Sequence, residues 1–142
     1  MPKNSIEVDI KIPNQTRYLS LIGKIGEDIA KELNRNSNNK ENLAYHLNLV
    51  LTEAMVNAIK YGHDSDPDKI VHILINITED ELYIKVYDYG QGFDINTIQS
   101  PDFANPEDQG RGIFIMKCLM DSVSYKKLND ANVLELTKKL KR

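Results

Sequence analysis

One cysteine, Cys118, is all the chain carries. That excludes an intrachain disulfide and suits a reducing compartment. Cys118 lies inside an apolar helical run and reads as a small buried hydrophobe, not a nucleophile. No window approaches the roughly 18 apolar residues of a membrane span. The opening MPKNSIEVDIKIP lacks the apolar run of a signal peptide, so a soluble, cytoplasmic protein is expected. Charge of one sign is also scarce. The net value of −3 provides no basic field for nucleic acid or an anionic membrane. His46, His63 and His72 have no metal-ligand spacing, and none reads as a zinc ligand. The GxxxxGK[ST] phosphate loop is missing, as are a GxGxxG after the first strand and a GxSxG elbow.

What is present points to one folded domain over residues 1–142. The length matches a typical domain, and 41% apolar residues with clear periodicity suffice for a core. Residues 5–12 alternate, with Ile6, Val8, Ile10 and Ile12 on one side, which predicts a half-buried strand ended by Pro13. A helical pattern follows from about Gln15 to Leu33, weakened by Gly23 and Gly26 unless these allow close packing. The polar run Asn34–Asn39 is a loop too short for a linker. A second helix begins near Lys40 or Glu41 and runs to Gly62, with the glycine expected in the left-handed position after it. Residues 70–78 and 81–88 read as an antiparallel hairpin. Residues 94–109 lack a period and form a loop of lid-like length. Gly110 opens a third helix, and residues 123–128 and 133–140 are two final strands.

The stretch from Asn48 to Gly62 organises the rest. Leu47, Val50, Leu51, Ala54, Met55, Ala58 and Ile59 define an apolar face. Glu53 and Asn57, four apart, stack beside it one turn from each other. Burying such groups unpaired costs roughly 1–3 kcal/mol each. Either the fold satisfies them or they line a ligand cavity. Two further features have uses for a nucleotide. Asp88 ends a strand just before Gly90 and Gly92, and Gly110 and Gly112 open a helix after the long loop. Glycine pairs allow close backbone approach, and a helix N-terminus suits phosphate. A strand-end aspartate can accept a hydrogen bond from an exocyclic amine. An asparagine oxygen suits Mg²⁺, and a nearby glutamate can take a proton from a hydroxyl or water. Each signal alone is also consistent with an ordinary turn or loop end.

In order, TEAMVNAIKYG, DYGQGF and GRGIFIMKCLMD resemble the three boxes of the GHKL (Bergerat-fold) ATPase superfamily, shared by histidine kinases, gyrase-type topoisomerases and mismatch-repair ATPases. The match is to its small branch, the anti-sigma-factor serine/threonine kinases, and covers nearly the whole chain. The resemblance implies an α/β two-layer sandwich: a mixed, mostly antiparallel sheet of about five strands covered on one face by three helices. It implies ATP and Mg²⁺ as cofactors, with Asn57 on the metal and Glu53 as general base toward a serine hydroxyl. Asp88 would take the adenine amine, and Gly90 and Gly92 would shape the pocket floor. Gly110, Arg111 and Gly112 would offer amides to phosphate across a lid at 93–110. Lys60 reads equally as a phosphate partner or a solvated lysine at the helix end. Arg111 reads equally as a γ-phosphate contact or a partner contact.

The implied partners are a STAS-type anti-anti-sigma antagonist, a sigma factor and a second copy of the chain, the last through the first strand and helix. The rival function is a nucleotide-dependent binding switch without phosphotransfer. A third is an ATP-binding regulator whose output is not transcription. One departure stands out. Where the family carries a glycine-threonine pair between the last two strands, this chain has Asp130-Ala131-Asn132-Val133. The departure is expected to affect the geometry of the last hairpin more than the nucleotide site.

Overall fold

The computed structural model describes residues 5–33, 40–62, 68–90, 92, 94–95 and 110–140. The expected loop at 34–39, His63, and the lid apart from residues 94, 95 and 110 lie outside the described residues. Strand β1 (Ile6–Pro13) leads through a 3-10 turn (Thr16–Tyr18) into α1 (Leu19–Leu33). The α-helix therefore starts four residues later than the periodicity suggests, because Gln15 is still extended. Next come α2 (Lys40–Asn57), a π-helical turn (Ala58–Gly62), β2 (Ile70–Ile77) and β3 (Glu81–Asp88). Helix α3 (Gly110–Leu119), β4 (Ser122–Lys127) and β5 (Asn132–Lys139) complete the order.

The strands form one sheet in the order β1-β2-β3-β5-β4, and every described pairing is antiparallel. The expected mixed sheet is corrected to this. Strands β3 and β4 do run parallel, joined across α3, but β5 lies between them and pairs with each in the opposite sense. The two-residue period places Val71, Ile73, Ile75 and Ile77 of β2 on the core face with Leu82, Ile84 and Val86 of β3. Leu134 and Leu136 of β5 continue that face. Turns hold the register. The Thr78 hydroxyl accepts from the amides of Asp80 and Glu81, and the last hairpin closes with the Leu128 amide donating to Ala131.

Helix α2 is the centre of the helical layer, packed against α1 and α3. Its stripe of Ala44, Leu47, Val50, Leu51, Ala54, Met55 and Ala58 is buried. Two sequence-based expectations are corrected here. The α-helix ends at Asn57, and the last five residues up to Gly62 wind as a π-turn. Each wider closure inserts a residue relative to α, so the side chains beyond Asn57 are rotated from their α-helical bearing. Cys118 is exposed. The buried residues of this segment are Ile113, Met116 and Met120, and that spacing leaves position 118 on the opposite face.

The two glycines of α1 do allow close packing. A Cβ on Gly23 would lie 2.6 Å from Asn48 Oδ1. Asn48 also donates to Glu27 at 3.0 Å, tying the two helices. A Cβ on Gly26 would lie 2.6 Å from Leu51 Cδ1 and 3.1 Å from Leu47 Cγ. Both leucines are buried, so neither can swing aside. Gly26→Ala is expected to destabilise the protein by about 1–2 kcal/mol through overpacking, despite a gain in helix propensity of about 1 kcal/mol. The midpoint of urea unfolding measures this, and a raised midpoint would contradict the packing.

Candidate functional site

Two clusters hold the sequence-predicted residues. The first lies at one end of the sheet. Asp88 and Asn132 are directly paired across β3 and β5, on the core side. They are 2% and 4% exposed, polar residues where the alternation calls for apolar ones. The Asn132 amide donates to Asp88 Oδ1 at 2.8 Å and to the Gly90 carbonyl at 3.0 Å. The Tyr125 hydroxyl, from β4, donates to Asp88 Oδ2 at 2.9 Å, and the Gly90 amide donates to Oδ1 at 3.3 Å. The carboxylate thus organises the turn at the end of its own strand. Gly92 has φ +76°, and a Cβ there would sit 2.9–3.0 Å from the Asn132 carboxamide. Backbone conformation and contact therefore both require glycine at 92.

The second cluster joins α2 to the start of α3. Glu53 projects so that a Cβ on Gly112 would lie 2.8 Å from its Oε2. The carboxylate lies against the first turn of α3, where the helix dipole favours negative charge. Burial raises the Glu53 carboxyl above its ordinary value, while the charges of Lys60 and Arg111 pull it partly back. Glu53, Lys60, Arg111 and Gly112 thus share one electrostatic neighbourhood. Lys60 is exposed in the π-turn, and Arg111 is half-buried. Asn57 is 5% exposed, one helical turn from Glu53 and immediately before the π-turn, which packs against β3.

The first glycine pair belongs to the sheet end and the second to the α2–α3 junction. Residues 96–109, which connect them, lie outside the described residues. Asn132 and Tyr125, the two side chains that donate to Asp88, are absent from the residues expected at the site. The last hairpin closes with the Leu128 amide on the Ala131 carbonyl, and Asn132 of the Asp130-Ala131-Asn132-Val133 stretch donates to Asp88. The available signal was strand parity: in NVLEL, residue 132 shares its face with Leu134 and Leu136. Among the described residues there is no cluster of three or more His, Cys, Asp or Glu side chains that could hold a metal. His72 instead pairs with Asp9 at 2.6 Å and stacks on Tyr87. Among those residues no helix is long and apolar enough to cross a membrane.

Comparison with known proteins gives a consistent picture. A family model described as the histidine kinase-like ATPase domain matches residues 19–138. The anti-sigma F factor of Anoxybacillus flavithermus is 33% identical over 96 residues, which cover 64% of this chain and 66% of that protein. The serine-protein kinase RsbW of Bacillus licheniformis is 27% identical across 95% of this chain and 86% of its own length. RsbW of Bacillus subtilis is 26% identical across 87% and 79%.

The raised Glu53 carboxyl carries a pH dependence. The native state holds this proton more tightly than the unfolded chain, so stability falls as pH rises through the ordinary value of 4.5 and the range above it. Below that value both states are protonated and the penalty is absent. Glu53→Gln removes the ionisation. Because the carboxylate is only half-buried and two cations offset its cost, the expected gain is small, about 1–3 °C in Tm at pH 7. The gain should vanish in acid. Equal melting of the two proteins at pH 7 would contradict the desolvation.

Proposed function

The chain belongs to the histidine kinase-like ATPase family, and we propose that it is an ATP-dependent serine-protein kinase that also acts as an anti-sigma factor. In this reading it phosphorylates a serine of a STAS-type antagonist and holds a sigma factor when that antagonist is absent. The names of its relatives support the kinase and anti-sigma class. The observation that carries the reading to chemistry is the seat of Glu53. A carboxylate with a raised pKa is aimed at the first turn of a helix, beside two cations and one turn from a buried asparagine. A raised carboxyl is better matched to taking a proton near neutral pH. A passive nucleotide pocket has no use for it.

The two clusters divide the roles between them. Asp88 accepts from the adenine amine, and the Gly90–Gly92 turn forms the floor beneath the base. The amides of Gly110, Arg111 and Gly112 face the phosphates at the start of α3, with Lys60 as a further phosphate partner. Asn57 fits Mg²⁺. Its carboxamide oxygen is a hard donor, and this metal takes few protein ligands and completes its shell with phosphates and water. When bound, the ion neutralises charge on the phosphates. Glu53 takes the proton of the serine hydroxyl as that oxygen bonds to the γ-phosphorus. The bond to the β-phosphate oxygen breaks, and ADP leaves. Positioning and charge stabilisation supply most of the catalysis in such transfers.

Labelled ATP and a serine-bearing STAS-domain protein test the reading. Transfer of label to serine is expected. Glu53→Gln should keep ATP affinity and lose about 10²–10⁴-fold in transfer rate. Asn57→Ala should abolish the Mg²⁺-dependent part of ATP binding. Tight ATP binding with no transfer to any acceptor would replace the kinase with a nucleotide-dependent binding switch.

A further inference from the structure

We infer that Asn132 and Tyr125 are the residues that make Asp88 selective for an exocyclic amine, and so set the choice of base at this site. The inference rests on the adenine reading of the Asp88 site and extends it to Tyr125 and to Asn132, which lies where this chain departs from the family's glycine-threonine pair.

Hydrogen-bond capacity limits what Asp88 can still accept. An ionised carboxylate offers about four acceptor positions. On Asp88, Oδ1 receives the Asn132 amide at 2.8 Å and the Gly90 amide at 3.3 Å. Oδ2 receives the Tyr125 hydroxyl at 2.9 Å. The remaining position is on Oδ2, and it can take one donor. An adenine N6 amine supplies a donor. A purine carrying oxygen at that position would bring an acceptor against a carboxylate.

The three bonds also remove the side chain's freedom to turn. Asn132 holds one oxygen from β5 and Tyr125 holds the other from β4, so the carboxylate is braced at both ends by neighbouring strands. The Asn132 amide group cannot be reversed without setting its own oxygen against Asp88 Oδ1 and the Gly90 carbonyl. Its second bond ties the glycine turn to the carboxylate, and its carboxamide lies on the Cα of Gly92. Asn132 therefore places the floor of the pocket and the recognising oxygen as one unit. Both residues act through Asp88 and are positioning residues.

The test compares ATP with purine riboside 5′-triphosphate, in which hydrogen replaces the amine. Binding of each nucleotide is measured to the full chain and to its Tyr125→Phe, Asn132→Ala and Asp88→Ala variants, with melting curves as a check on folding. Tyr125→Phe keeps the ring and removes only the donor, so it remains informative if Asn132→Ala disturbs the hairpin. ATP affinity should fall about tenfold in Tyr125→Phe, as expected for a bond to a charged group. Affinity for the amine-free nucleotide should change less than about twofold, so the preference moves toward that of Asp88→Ala. Equal weakening of both nucleotides would make the two residues merely structural and overturn the inference. So would a preference lost in Asp88→Ala but unchanged in Tyr125→Phe and Asn132→Ala, an outcome that leaves the adenine reading standing. Absence of ATP binding by the unaltered protein would overturn the adenine reading and this inference with it.

Discussion

Placing a carboxylate on the core side of a sheet costs several kcal/mol unless donors meet it. Asp88 occupies such a position, one step beyond Val86 on the apolar face of β3, and the structure around it supplies those donors. They come from three places in the chain: the turn after β3, β4, and β5. To bring them together, β5 must lie between β3 and β4, with Asn132 in register opposite Asp88. The strand order and the long excursion through α3 are thus tied to the satisfaction of one buried side chain. Three donors meet the carboxylate, and its fourth acceptor position is the one the proposed adenine amine would take.

The helical layer poses the complementary problem. Glu53 keeps a carboxylate half-buried where burial disfavours its charge, and Lys60 and Arg111 offset only part of that cost. Groups held in such tension are characteristic of working sites, where stability is given up for chemistry. The contact with Gly112 explains why the start of α3 carries glycine there: any larger residue would displace the carboxylate. The α1–α2 interface uses glycine for a different end, letting Gly23 and Gly26 bring two helices close enough to fix the helix that bears Glu53 and Asn57.

Much of this was legible in the chain itself. The alternation of β1, β2 and β3 and the apolar stripe of α2 placed the strands and the central helix, because period two and period 3.6 report directly which face is buried. Glu53 and Asp88 stand out as polar residues in apolar periodic runs, but their expected roles and those of the glycine pairs come from the resemblance of the three boxes taken in order. What escaped depends on neighbours distant in sequence. Asn132 and Tyr125 matter only once β5 is set beside β3, and no local pattern reports that order. Cys118 looked buried because its neighbours are apolar, yet the face of a ten-residue helix is decided by what it packs on. The π-turn after Asn57 has an ordinary helical composition, so its wider winding has no signature in residue type.

The proposed site joins the sheet end to the α2–α3 junction, with the base at Asp88 and the reacting phosphate near Glu53. A crystal structure with Mg²⁺ and a non-hydrolysable ATP analogue decides whether the two ends share one nucleotide. The adenine amine is expected within hydrogen-bond distance of Asp88 Oδ2, the metal on the Asn57 oxygen, and the γ-phosphate on the Glu53 side, at the start of α3. A nucleotide bound elsewhere, or one whose base leaves Asp88 untouched, would contradict it.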